Sequence, residues 1–232
     1  ANITFIDHQV GRFIATLRKY HSAVWRNTLI VFTSDHGDML GDHHLWRKTY
    51  AFEGSARIPL IVCPPETWAD YPRGQVRDEV VELHDIMPTA LAAAGLSIPA
   101  TVQGRDMGPL VRGRTIPWRS YLHGEHCQCY SLLNAMHYLT DGRMKYIWYP
   151  YEGREQLFDL VRDPGECRDL SAARTHARTL KEWRARLVGE LQARCAEAPD
   201  YPLVRRGRLV KLPQDVIPRS PHYGKYGCGK SQ

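Results

Sequence analysis

The chain has 232 residues, 43% of them hydrophobic and 24% charged, with a net charge of +6 from 31 basic and 25 acidic side chains. Length and composition are those of a globular protein with ample material for a core, which excludes disorder as the default. No apolar run approaches the roughly 18 residues that a membrane span needs, so no membrane partner is expected. Seven basic side chains (Arg205, Arg206, Arg208, Lys211, Arg219, Lys225, Lys230) against Asp215 alone place the whole excess in residues 201–232. Such a tail reads as a solvated extension or as an attractor of polyanions, and no nucleic-acid motif accompanies it, so no nucleic-acid partner is expected. The chain opens without Met inside a helix-like segment and is expected to be a processed or truncated piece; its compartment stays open.

In chain order, Ile3, Ile6, Val10, Phe13, Ile14 and Leu17 recur at helical spacing, which predicts an amphipathic helix over residues 3–20 with one buried face. The run Thr28-Leu-Ile-Val-Phe32 does not alternate apolar with polar, as a strand covered on both faces of a parallel sheet does not. A second run, Pro59-Leu-Ile-Val-Cys63, closes at Pro64 and Pro65, with Cys63 read as structural at the end of a buried strand. Helix, strand, polar loop and strand predict an α/β core. Asp85 is placed to cap a helix through about Ala94, with Pro88 in its first turn and Gly95 ending it.

From Ser120 the texture changes. Short aromatic-rich runs (Tyr138–Thr140, Lys145–Tyr149, Leu157–Leu160) alternate with Asp-Gly and Asp-Pro-Gly turns, which predicts antiparallel strands. Leu180, Trp183, Leu187, Val188 and Leu191 predict a helix of about five turns covering one face of that small sheet. The expected organisation is a core over residues 1–115, a C-terminal α+β subdomain over 116–200 and a loosely structured basic tail over 201–232. Six cysteines (63, 127, 129, 167, 195 and 228) are too sparse for a disulfide scaffold, and Cys127 and Cys129 have no second close pair with which to build a zinc site.

The chemistry concentrates behind the first strand. In open α/β sheets, ligands collect where the chain leaves the carboxyl ends of strands, and Asp35 and His36 stand there. A carboxylate beside an imidazole is costly to desolvate unless a cation or donors compensate it, so a metal is the economical explanation. Gly37 and Gly41 let the backbone turn, Asp38, Asp42, His43 and His44 extend the polar cluster, and Lys48 adds a cation with reach.

Ser34-Asp-His-Gly37, Leu40-Gly-Asp-His43, Lys48 and Glu53-x-x-x-Arg57-Ile-Pro59 resemble the second metal-binding segment of sulfatases in the alkaline phosphatase superfamily. Phe5-Ile-Asp7-x-Gln9-Val-Gly11 resembles the helix before that segment; Asp85-Ile-Met-Pro-Thr89 and Ala94-Gly95 resemble the helix after it, with Gln103-Gly104 and Leu110 fitting the next loop. Asp141-Gly-x-x-Lys145-Tyr, Gln156-Leu-Phe-Asp-Leu160 and Asp163-Pro-Gly-Glu166 resemble the family's C-terminal subdomain. The resemblance implies an α/β fold: part of an alkaline-phosphatase-like mixed sheet flanked by helices, plus a small C-terminal subdomain with an antiparallel sheet.

It further implies one divalent ion, calcium in most members, with Asp35 and His36 as metal ligands and His36 counted with Lys48 in the catalytic set. Many sulfatases have Asn at the position of His36, and an imidazole shifts preference from calcium toward manganese. Lys48 matches the lysine that contacts the transferred sulfate. Glu53 and Arg57 are read as structural supports one helical turn apart. His44 and His126 are candidates to touch substrate, with His43 and His123 beside them; two adjacent imidazoles are not easily aimed together, so supporting roles are expected.

One departure is large. The family's nucleophile is a formylglycine made within C-x-P-x-R, and this chain offers only Cys63-Pro-Pro65 followed by Glu66 and Thr67. The family's first carboxylate pair is also missing. The expected function is therefore sulfuric ester hydrolysis by a complete protein whose N-terminal part is a partner of this chain, acting on a small-molecule or carbohydrate sulfate ester. The alternatives are a phosphonate or phosphate ester hydrolase of the same superfamily, or a catalytically inert binding fragment. Oligomeric state stays open, a homo-oligomer included.

Overall fold

The computed structural model describes residues 2–68, 70–127, 131–195 and 203–213. The chain forms two compact units, one of Ala1–His36 with Ile58–Ser120 and one of Gly37–Arg57 with Tyr121–Gln232. The loop behind the first strand thus leaves the first unit at Gly37 and folds as part of the second.

In the first unit, α1 (Asn2–Tyr20) and α2 (Ser22–Arg26) precede β1 (Ile30–Thr33). The predicted helix is present, but no residue of α1 is buried within this chain, and Ile3, Phe5 and Phe13 are 85%, 64% and 62% exposed. The reason is supply: a two-stranded ladder and short helices offer too little apolar surface to cover a 19-residue helix. After α3 (Glu53–Ala56), which belongs to the second unit, β2 (Leu60–Cys63) pairs with β1 antiparallel, Ile30 opposite Cys63 and Thr33 opposite Leu60. The parallel, doubly covered strand expected from the sequence is thus corrected. Each strand has one partner among the described residues, its side chains are half-buried to exposed, and Cys63 is exposed rather than structural.

Helix α4 (Ile86–Ala93) carries Pro88 in its first turn and ends before Gly95, whose φ of +71° suits glycine. Asp85 does not cap it by side chain. Instead the fully buried Asp85 carboxylate accepts from the backbone N–H of Glu82 (2.9 Å) and Arg105 (2.8 Å) and pairs with the Arg119 guanidinium (Nη2 to Oδ1, 2.6 Å). Buried Thr89 donates to the Asp85 carbonyl and accepts from Met107 N at 2.8 Å, where α5 (Gly108–Val111) begins. So many donors compensate the carboxylate for its lost water, and together they fix the loop of residues 102–107 on α4. Gly104 is required there, because a Cβ would lie 1.8 Å from the His84 carbonyl oxygen.

The second unit is a four-stranded antiparallel meander, β3 (Leu122–His126), β4 (Met136–Thr140), β5 (Met144–Tyr149) and β6 (Arg154–Asp159), in sequential order. Alternation along β5 sends Tyr146 and Trp148 to one face, where α6 (Ala177–Cys195) brings Trp183, Leu187 and Leu191. On the other face Ile147, Tyr149 and Phe158 meet Ala51, with Tyr50 and Phe52 packed alongside. Both faces of the sheet are therefore covered, one by a helix and one by the segment that carries the candidate loop. The expectation of a loose tail is corrected where the chain is described: β7 (Val204–Arg205) and β8 (Arg208–Leu209) form a hairpin, and Leu203, Val204 and Leu209 pack on the α6 core. Cys129 and most of the basic tail lie outside the described residues.

Candidate functional site

Asp35 and His36 come directly after β1. Asp35 Oδ1 accepts from His36 N at 3.0 Å, and Oδ2 lies 3.3 Å from His36 Nε2, with side chains 83% and 37% exposed. One carboxylate oxygen and one imidazole nitrogen at that separation match two adjacent positions on a cation with bonds of roughly 2.0–2.3 Å. The pair fits a divalent metal as part of a ligand set and needs further donors to complete it. The mixed oxygen and nitrogen donors fit manganese or zinc at least as well as calcium.

The second unit carries Asp38 to Lys48, and its geometry is that of a built loop. Asp38 Oδ1 accepts from Leu40 N (3.0 Å) and Arg47 N (3.1 Å), while Met39 N donates to the Arg47 carbonyl at 2.8 Å. Asp38 is thus a clamp across the base of the loop. Five non-glycine residues between 40 and 49 have positive φ: Leu40, His43, His44, Arg47 and Thr49, the last at +90°. Each such conformation is costly for a side chain with Cβ, and Thr49 additionally buries a hydroxyl with no hydrogen-bond partner. Strain of this density persists only where the surroundings over-determine it.

Here the surroundings centre on a buried lysine. Lys145 of β5 places Nζ 2.7 Å from Glu53 Oε1 and 2.8 Å from Glu166 Oε1, and Glu166 Oε2 accepts from Glu53 N. Burial pushes the Glu166 carboxyl up, against the pull of Lys145. His43 stacks on Phe52 with centroids 4.1 Å apart, and its Nε2 lies 3.0 Å from the Gly165 carbonyl oxygen. His43 is therefore a strut between the loop and the Asp163–Glu166 turn. Arg57 Nη1 lies 3.5 Å from Glu53 Oε2, the expected one-turn pair, but the dominant partner of Glu53 is Lys145. Gly37 N donates to the Ser55 carbonyl at 2.9 Å, and a Cβ on Gly37 would sit 2.1 Å from the Gly54 carbonyl oxygen. Close backbone approach, more than a sharp turn, explains that glycine.

Lys48 and His44 are exposed on this loop. Asp35 and His36 belong to the first unit and Lys48, His43 and His44 to the second. His126, on β3, turns Nδ1 onto the neighbouring Cys127 carbonyl. Two clusters escape sequence reasoning: the Lys145–Glu53–Glu166 anchor, and the meeting of His123 and Glu125 with His137 of the neighbouring strand.

One unit thus carries a carboxylate–imidazole pair at the end of a strand, and the other carries a strained loop anchored on an antiparallel sheet. Residues 1–96 match the family model described as Sulfatase. The chain is 41% identical over 193 residues to an arylsulfatase of Clostridium perfringens, covering 83% of this chain and 39% of that protein. The fold aligns with a structure determined in complex with its substrate D-glucosamine-2-N,6-O-disulfate (TM-score 0.74, 24% identity, 85% of this chain and 40% of that one). It also aligns with a phosphonate monoester hydrolase of Agrobacterium radiobacter (TM-score 0.69, 26% identity, 83% and 40%). The chain belongs to the sulfatase family, with the alkaline-phosphatase-like fold expected from its motifs. It spans about two fifths of the length of these relatives.

Proposed function

We propose that this chain is the part of a sulfuric ester hydrolase that supplies two metal ligands, Asp35 and His36, and a sulfate-contacting cation, Lys48. The observation that carries the reading is the Asp35–His36 donor pair at the end of β1, in a chain 41% identical to an arylsulfatase. A bound divalent ion supplies positive charge that offsets the sulfuryl oxygens and lowers the cost of an anionic nucleophile. The chain's own residues then have distinct tasks. Asp35 would contribute a carboxylate oxygen to the ligand set and His36 an imidazole nitrogen. Lys48 offers an ammonium that balances charge on the ester as the S–O bond breaks. Glu53, Lys145 and Glu166 hold the loop that presents Lys48, and His43 braces it.

The 232 residues contain no C-x-P-x-R, so the nucleophile comes from outside them. Two readings share this machinery. The phosphonate ester reading is favoured by the likeness to a phosphonate monoester hydrolase and by the imidazole at His36. Sulfate is preferred because the arylsulfatase match is the stronger one in sequence. Likeness to a structure bound to a disulfated glucosamine makes a sulfated carbohydrate a reasonable substrate to include. The test compares hydrolysis of an aryl sulfate and an aryl phosphonate monoester by the full-length protein. A higher kcat/KM for the sulfate is expected; a higher value for the phosphonate replaces this reading with the second, and turnover of neither leaves a binding fragment.

A further inference from the structure

A second cluster of metal-binding side chains lies on the C-terminal sheet and takes no part in the proposed ester chemistry. His123 and Glu125 stand two apart on β3 and so share a face, and the register sets His137 of β4 directly opposite Glu125. His137 Nδ1 lies 3.2 Å from His123 Nε2 and 3.4 Å from Glu125 Oε2, and one donor atom from each of the three side chains falls within 4.8 Å of the others. Among the described residues this is the group in which three such side chains converge.

We propose that His123, Glu125 and His137 form a transition-metal site, with zinc the ion that fits best and one coordination position left open. The spacing is the first argument. Zinc bonds of 2.0–2.2 Å in tetrahedral geometry separate neighbouring donors by roughly 3.3–3.5 Å, close to the two separations seen. Common aim is the second: His137 Nδ1 faces the His123 nitrogen and the Glu125 oxygen together, as donors to one ion do. Third, the surroundings hold the donors in place before any ion arrives. The His137 ring stacks on Trp148 (5.8 Å, 26°) and is 12% exposed, and the His123 ring lies 5.4 Å away at 17°. Arg194, in the last turn of α6, forks onto Glu125 with contacts of 2.7 and 2.8 Å, as outer partners orient a ligating carboxylate.

The other charged groups bear on affinity. The Arg194 guanidinium also lies 3.3 Å from His123 Nδ1 and offsets the charge of Glu125, which weakens attraction for a dication. Two nitrogens and one oxygen disfavour calcium, so this site and the Asp35–His36 pair are not expected to compete for the same calcium ion.

The experiment uses the full-length protein, stripped with a chelator and titrated with cobalt(II) as a spectroscopic stand-in for zinc, beside His137→Gln and Glu125→Gln. The expected result is one more cobalt per chain in the parent than in His137→Gln. That cobalt should give visible bands of the intensity typical of four-coordination, should be displaced by zinc, and should bind at least tenfold more weakly in Glu125→Gln. Circular dichroism of the metal-free variants shows that they are folded; if His137→Gln is not, His123→Gln is read in its place. Identical stoichiometry, affinity and bands in the parent and the folded variants overturn the proposal. Loss of turnover with these bands intact would concern the Asp35–His36 site alone, so the two readings fail separately.

Discussion

Lys145 and Glu53, 92 residues apart in sequence, meet at 2.7 Å with the lysine fully buried beneath the loop that carries Lys48. A buried ammonium survives only with compensation, and here two carboxylates supply it, Glu53 and the 2%-exposed Glu166. The relationship ties α3, which follows the strained loop, to the C-terminal sheet.

Replacing Lys145 by Met leaves Glu53 and Glu166 facing each other without a cation. Breaking a buried pair from one side costs about 3–5 kcal/mol. Urea unfolding should show a loss of that size, and Lys145→Met combined with Glu166→Gln should recover part of it.

Asp85→Ala removes a carboxylate that serves Glu82 N, Arg105 N and Arg119 at once. It leaves the Arg119 guanidinium, whose side chain is only 10% exposed, with Glu82 at 3.5 Å as its remaining carboxylate, and a loss of about 3 kcal/mol is expected in the same assay. A loss below about 1 kcal/mol would mean that water or another group takes over the guanidinium.

Gly37→Ala should cost more than a surface change, since its Cβ meets a carbonyl oxygen at 2.1 Å and that oxygen belongs to backbone. Overpacking of this kind costs roughly 1–3 kcal/mol. Because Gly37 adjoins the donor pair directly, the variant should also lose metal affinity, measured by titration of the metal-stripped full-length protein.

Acid should destabilise the C-terminal sheet through His137. Burial first, then the nearby His123, lowers its pKa to about 4 from 6.5. The unfolded chain therefore binds the proton first as pH falls. Stability is full above about 6.5 and declines on the way down to about 4, by roughly 3 kcal/mol for this group. Glu125, held low by Arg194, adds a loss in the same direction at lower pH. Metal-free His137→Gln should show a flatter dependence of unfolding free energy on pH between 6.5 and 4 than the parent.

Much of this fold is written in local pattern. The meander β3–β6 comes from aromatic runs set between Asp-Gly and Asp-Pro-Gly turns, and α6 from Leu180, Trp183, Leu187 and Leu191 at helical spacing. Asp35 and His36 are visible because a strand and a polar loop adjoin in sequence. The hidden features depend on distance along the chain. The stripe of α1 announces a helix but not what covers it, and the run Thr28–Phe32 announces a strand but not the antiparallel partner that β2 provides. Asp85 reads as a cap because its role rests on Arg105 and Arg119, 20 and 34 residues on. His123-Gly-Glu125 stands out in the sequence, whereas His137 joins it only through the β3–β4 register, which no spacing along one strand reveals.

If Asp35 and His36 hold the metal on which ester hydrolysis depends, ion and activity must be lost together. Metal content and aryl sulfate turnover of the full-length protein with Asp35→Ala, beside the parent, measure this. Turnover is expected to fall by at least a hundredfold and bound divalent ion by one equivalent, while the folded sheet keeps its circular dichroism. Turnover within a few-fold of the parent, or a full complement of ion with no turnover, would show that the pair does not hold the catalytic metal.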